Sequence, residues 1–150
     1  MGDAERQSSA PRQPGPAAGA QAGPARPRIE RLKKRADYLR IAAGRNSASR
    51  PGLVLQALRR SAPDADGPVI RFGLTASRKV GGAVERNRAR RRLRAAAEMT
   101  LPRHAEPGVD YVLIGRRGTL TRPFHALVQD LCGALRQTGC WRADDEQEGA

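Results

Sequence analysis

The sequence predicts a single α+β domain whose elements run α-β-β-α-β-α between two polar tails. Three observations carry that expectation. Residues 70–77 alternate, with Ile70, Phe72, Leu74 and Ala76 on one side and Arg71, Gly73, Thr75 and Ser77 on the other, the period of a strand with one face in a core. Phe124, Leu127, Val128, Leu131 and Leu135 recur at the spacing of one face of a helix. Between them, Ala83 to Met99 is rich in alanine and arginine, a helix-forming composition. At 150 residues the chain has room for one domain and hardly two, since domains usually run about 100 to 150 residues.

Residues 1–28 are rich in Pro, Gly, Ala and Gln and cannot bury enough apolar surface to offset chain entropy, which predicts a disordered tail. Asp3 and Glu5 speak against an Arg-rich transit peptide there. The folded domain then spans 29–142. Residues 143–150, with Asp144, Asp145, Glu146 and Glu148, form an acidic disordered tail. Arg35 to Ala43 reads as a short helix carrying Tyr38, which Gly44 is expected to close in the left-handed conformation. Leu53 to Leu58 reads as a strand, and the turn-rich Ser61 to Pro68 predicts a long-looped hairpin between it and the alternating strand. Tyr111 to Ile114 is continuously apolar, as a central strand is. Thr121 and Pro123 mark the start of the last helix, and Gly139 its end.

The charge balance narrows the function. Lys and Arg number 28 against 15 Asp and Glu, a formal net charge of +13, which favours a polyanionic partner, nucleic acid before an anionic membrane surface. No run approaches the roughly 18 to 20 apolar residues of a membrane span, and the first thirty residues lack the apolar centre of a secretory signal, so a cytoplasmic protein is expected. Cys132 and Cys140 form no CxxC pair, and neither His104 nor His125 has a second ligand at metal spacing, which argues against structural zinc or a disulfide framework. The acids Glu30, Asp37, Asp64, Asp66, Glu85, Glu98, Glu106, Asp110 and Asp130 make no metal-like motif, which disfavours a self-sufficient nuclease.

The charge is concentrated in the middle helix. Arg86, Arg88, Arg90, Arg91, Arg92 and Arg94 fall within nine consecutive residues. At roughly 100° per residue, Arg86, Asn87, Arg90, Arg91 and Arg94 share an arc of about 140°, opposite Ala89, Leu93 and Ala96. Like charges at i and i+4 repel by a few tenths of a kcal/mol per pair, so the face is a cost to the isolated helix. A solvated face usually mixes signs, and here only Glu85 and Glu98 bracket the run, so phosphate binding is the better explanation. Just upstream, the glycines of Ser77-Arg78-Lys79-Val80-Gly81-Gly82 suit either a tight turn or a backbone approach to phosphate at a helix N-terminus.

The run Ser77-Arg78-Lys79-Val80-Gly81, followed by Ala83-Val84, Arg86-Asn87-Arg88, Arg90-Arg91 and Arg94, resembles the signature of the bacterial ribonuclease P protein component, with its Arg-Asn-Arg helix. Leu32-Lys33-Lys34, Asp37-Tyr38, Arg71, Gly73-Leu74 and Asp110-Tyr111 extend the resemblance over residues 31–136. It implies a two-layer α/β sandwich of the ribonuclease P protein and ribosomal-protein-like type, in which two parallel strands flank the basic helix through a left-handed crossover, against the general rule. It also implies a subunit of an endoribonuclease that binds a catalytic RNA, one protein per RNA, and promotes removal of the 5′ leader from precursor tRNA, with Mg2+ held through the RNA. The implied RNA-binding residues are Arg78, Lys79, Arg86, Asn87, Arg88, Arg90, Arg91 and Arg94, and the implied 5′-leader cleft holds Tyr38, Arg71 and Thr75. Two positions depart from the family pattern, with Ala42 and Gln56 standing where aromatics are common, so stacking on the leader is expected to be weaker. Tyr38 itself fits either a core aromatic or a stacking platform. Composition alone is equally met by a ribosomal-type RNA-binding protein with no catalytic partner, and the ordered signature is what separates the two.

Overall fold

The computed structural model describes residues 27–61 and 67–143. The expected disordered tails therefore lie almost wholly outside the described residues, as does most of the turn-rich stretch after Ser61. The elements in chain order are β1 (Arg28–Arg31), α1 (Arg35–Ala43), β2 (Ser47–Arg50), β3 (Leu53–Arg59), β4 (Val69–Ala76), α2 (Ala83–His104), β5 (Val109–Gly115), α3 (Arg117–Thr121) and α4 (Phe124–Thr138). The strands form one five-stranded mixed sheet in the order β1-β4-β5-β3-β2. Burial of nearly every residue of β5 follows from its place in the middle, as its unbroken apolar run predicts.

Strand parity gives the sheet two unlike faces. Ile70, Phe72 and Leu74 of β4, Tyr111 and Leu113 of β5, and Leu53, Leu55 and Ala57 of β3 bury one face against Leu93, Ala97 and Leu101 of α2 and Leu127, Leu131 and Leu135 of α4. The other face is only partly covered. Ile41 of α1 and the preceding Leu32 pack on Val112 there, with Tyr38, Leu58 and Ile114 around them. β4 and β5 are parallel and joined through α2, the crossover that the resemblance implies.

Several expectations need correction. β3 and β4 do not form a hairpin, because β5 lies between them, pairing antiparallel with β3 and parallel with β4. A loop joining two strands reads the same in sequence whether or not a third strand slips between. The tight hairpin is instead β2–β3, whose register from Arg50↔Leu53 leaves only Pro51-Gly52 as its turn. Gly44 closes α1 with φ −69°, and the left-handed residue is its neighbour Arg45 at φ 59°. Gly44 is instead a close-packing site, since a Cβ there would lie 2.9 Å from Leu58 Cδ1. α2 runs past Met99 and through Pro102 to His104. Pro102 has no N–H to donate to the carbonyl four residues earlier, and beyond it Arg142 caps the helix end, its backbone N–H donating to His104 O and its guanidinium to Ala105 O and Pro102 O. Arg28, expected in the tail, already belongs to β1, which adds parallel to β4 with only Ile29 reaching the core.

Candidate nucleic-acid interface

α2 carries its arginines in three different settings. Ala89, Leu93, Ala96 and Ala97 are fully buried, so the helix rolls that stripe onto the sheet and α4. Asn87, Arg88, Arg91 and Arg94 are exposed, while Arg86 and Arg90 lie half-buried at one margin of the stripe. Arg94 is ion-paired with Glu98 at 3.0 Å, and Arg90 donates to the Asn87 side-chain oxygen. Arg88 and Arg91 have no hydrogen-bond or ion-pair partner among the described residues, which leaves two full guanidinium forks for an anion. Arg86 donates to Gly81 O at 3.1 Å and so holds the turn before the helix. Gly81 adopts φ 148°, and Glu85 accepts from the Gly82 N–H at 3.0 Å, which fixes the helix start. Arg78 and Lys79 stand exposed in that turn.

Arg92 has a third setting. Its Nη1 donates to Thr119 O and Leu120 O, both at 3.0 Å, and its Nη2 to Arg122 O at 2.6 Å. That guanidinium is committed within the protein.

Because β4 and β5 are parallel, the segments that follow them leave the sheet at the same end of the strands. Arg116 and Arg117, which follow β5, thereby come beside Arg78 and Lys79, which follow β4, and Arg117 Nε donates to Lys79 O at 3.1 Å. Arg116 reaches Ser49 Oγ and Arg50 O at 2.9 and 2.8 Å. These two arginines were absent from the residues singled out in the sequence. Their signal was a doublet of arginines after an apolar strand, which gains meaning only once the strands are known to be parallel.

On the half-open face, Tyr38 lies across Gly73, where any Cβ would come within 2.5 Å of the ring carbon Cζ. Glycine is therefore what admits the aromatic to the sheet surface. Tyr38 is half-buried, and the register places Gly73, Val112 and Gln56 in one row beneath it and Thr75, Ile114 and Val54 in the next. Thr75 thus lies on the same face, one row along from the glycine that Tyr38 covers, with its side chain partly open. Ala42 is exposed on α1 and offers no second ring.

Arg71 sits on the same face but is engaged. It forms a bidentate pair with Asp110, Nε to Oδ1 at 2.9 Å and Nη2 to Oδ2 at 2.7 Å, and Arg40 and Arg60 each reach the same carboxylate at 2.5 Å. Burial alone would push the Asp110 carboxyl up, but the hydrogen bonds from Arg71, Arg40 and Arg60 together hold it below the usual carboxylate range. Hydrogen bonding to Asp110 in turn raises Arg71 and Arg40 above the ordinary guanidinium value. A cavity of about 590 Å³ opens beside this cluster, between the end of β1 and the start of α1, with Arg31, Lys33, Lys34 and Asp37 in its wall. Among the described residues, no group of three or more His, Cys, Asp or Glu is placed to hold a metal ion, and no helix is long and apolar enough to cross a membrane.

A cationic helix on one side of a sheet, a half-open face with an aromatic on the other, and four basic residues at the ends of two parallel strands make up a small α+β domain suited to a polyanion. Comparison with known proteins names the family. The family described as Ribonuclease P matches residues 27–139. The ribonuclease P protein component of Paramagnetospirillum magneticum is 54% identical over 112 residues, covering 75% of this chain and 84% of that protein. That of Ruegeria pomeroyi is 50% identical over 110 residues, covering 73% and 86%. The fold is similar to the RNase P protein of Staphylococcus aureus, with TM-score 0.60 at 22% identity over 75% of this chain and 97% of that one. It is similar also to that of Thermotoga maritima, with TM-score 0.57 at 23% identity over 69% and 92%. The chain belongs to the ribonuclease P protein family and is a subunit of that endoribonuclease, acting in tRNA processing.

Proposed function

We propose that the exposed face of α2 and the β4–α2 turn bind the catalytic RNA of ribonuclease P, and that the half-open face of the sheet takes the 5′ leader of precursor tRNA. The RNA-binding set is Arg78, Lys79, Arg86, Asn87, Arg88, Arg90, Arg91 and Arg94, joined by Arg116 and Arg117; the cleft set is Tyr38, Arg71 and Thr75. The observation that carries this reading is the basic corner. Arg117 Nε donates to Lys79 O, so the turn before α2 and the residues after β5 bring four basic side chains to the end of β4 and β5 at which Thr75 of the cleft face also lies.

Within this division of labour each residue binds or orients. Arg88 and Arg91 offer forked donors to phosphate oxygens, and Arg86 holds the turn that presents Arg78 and Lys79. Tyr38 offers a ring for a base to stack on, and Thr75 a hydroxyl in the next row of the same face. Arg71 acts from within the Asp110 cluster, adding positive potential to the cleft rather than a free fork. Mg2+ is held through the RNA, and when bound there it supplies the charge stabilisation for hydrolysis. One protein serves one RNA, in the cytoplasm, with residues 29–142 as the RNA-binding unit.

Sequencing the RNA that copurifies with tagged protein tests the reading. Enrichment of ribonuclease P RNA, lost when Arg88 and Arg91 are replaced by Ala, is the expected result. Enrichment of ribosomal RNA instead would favour a ribosomal-type role.

A further inference from the structure

Arg92 stands in the middle of the cationic run but does not share its work. Its guanidinium donates to three backbone carbonyls at the end of α3, those of Thr119, Leu120 and Arg122. The last carbonyls of any helix lack partners within it, and a helix as short as Arg117–Thr121 has too few bonds of its own to persist unaided. α3 is held at its other end as well. Thr119 Oγ1 donates to Gly52 O at 2.5 Å and accepts from the Arg116 N–H at 2.8 Å, and Gly118 packs directly on the backbone of Pro51. The β2–β3 turn thus fixes the start of α3, and Arg92 fixes its end to α2. Arg116, the N-cap of α3, and Arg117, its first residue, stand just before the first anchor, so their place depends on how the whole of α3 is seated.

We propose that Arg92 is a positioning residue for RNA binding. It ties α3 to the cationic helix, so that Arg116 and Arg117 stand at a fixed distance from Arg88 and Arg91 and one RNA can span both. This rests on the reading of the basic corner as part of the RNA surface. Arginine suits the task because one planar fork reaches three carbonyls, whereas a lysine ammonium is a point donor on a flexible stem.

The test is a mutant cycle on full-length protein, with in vitro transcribed ribonuclease P RNA as the probe and affinity measured over a range of salt, well below each variant's melting temperature. Arg92→Ala is expected to weaken binding about three- to tenfold, within the range for coupled contacts. Arg92→Lys, which keeps the charge, should lose nearly as much. In the Arg116→Ala/Arg117→Ala background, Arg92→Ala should cost nothing further and leave the salt slope of that double variant unchanged. An additive loss with a further fall in slope, or full rescue by Lys, would make Arg92 a phosphate contact and overturn its positioning role. Wild-type affinity of Arg92→Ala, with only its melting temperature lowered, would reduce it to a structural strut. Unchanged affinity and slope in Arg116→Ala/Arg117→Ala would instead overturn the basic corner as an RNA surface, and this role of Arg92 with it.

Discussion

Asp110→Asn removes the buried negative charge that Arg40, Arg60 and Arg71 share, while keeping nearly the same shape. Asp110 is 0% exposed, so its carboxylate persists only because the three guanidinium groups surround it. Breaking a buried pair by removing one partner costs about 3 to 5 kcal/mol. The three arginines do not weigh equally, with side chains 40% exposed for Arg40, 30% for Arg71 and 12% for Arg60. Solvent screens Arg40 toward the about 0 to 1 kcal/mol of a surface pair. Most of the loss therefore belongs to Arg60 and Arg71, which places the total at the lower end, about 3 kcal/mol. Urea unfolding followed by circular dichroism should show a midpoint about 1 to 3 M lower with an unchanged slope. The pH dependence follows from the lowered carboxyl value in the folded state. Its stabilisation is complete above the unfolded carboxylate value of about 3.9 and is lost as pH falls through the lower folded value. Wild type and variant should thus differ at neutral pH and converge in acid. A variant within about 0.5 kcal/mol of wild type at pH 7, the range of ordinary surface changes, would refute the reasoning, as would a gap that does not narrow in acid.

Tyr38→Ala should reduce holoenzyme affinity for precursor tRNA by about 1 to 3 kcal/mol, the scale of one lost base stack, and leave mature tRNA unaffected; equal losses for both would return Tyr38 to a core role. Arg91→Ala should flatten the dependence of log affinity on log salt by somewhat under one unit, while Leu93→Ala, fully buried, should cost about 2 to 5 kcal/mol of stability and leave the slope alone. Arg142→Ala should cost about 1 to 3 kcal/mol by stripping the carbonyl partners from the end of α2, seen as faster amide exchange confined to residues 101–105; protection unchanged there would mean the helix end is held without it.

Elements whose side chains show a period were legible in the sequence, and elements held by backbone or by a single long side chain were not. α1 and α4 begin and end where Arg35, Ala43, Phe124 and Thr138 stand, and β4 and β5 were marked by alternation and by an apolar run. β1 and β2, reading Arg-Ile-Glu-Arg and Ser-Ala-Ser-Arg, present one apolar side chain each, and their places come from pairing with neighbours already formed. α3 exists through Arg92 and Thr119, contacts spanning tens of residues that no local pattern contains. The site divides in the same way. Helical geometry alone placed Arg91 and Arg94 outward, but Arg71 looked free in the sequence because its partner, Asp110, arrives from the next strand of the sheet. Arg116 and Arg117 joined the surface only through the parallel pairing of β4 with β5.

The central claim is that this protein binds and positions RNA while the cleavage chemistry stays with its RNA partner. Cleavage of precursor tRNA by ribonuclease P RNA, assayed at low magnesium with and without the nuclease-cleared protein, tests it most directly. The protein should restore cleavage that the RNA alone cannot sustain, and should cut nothing by itself, because the two carboxylates that Arg40 brings together, Asp37 and Asp110, are both tied to arginine. Cleavage by the RNA-free protein, or no stimulation of the RNA at any magnesium concentration, would contradict the account.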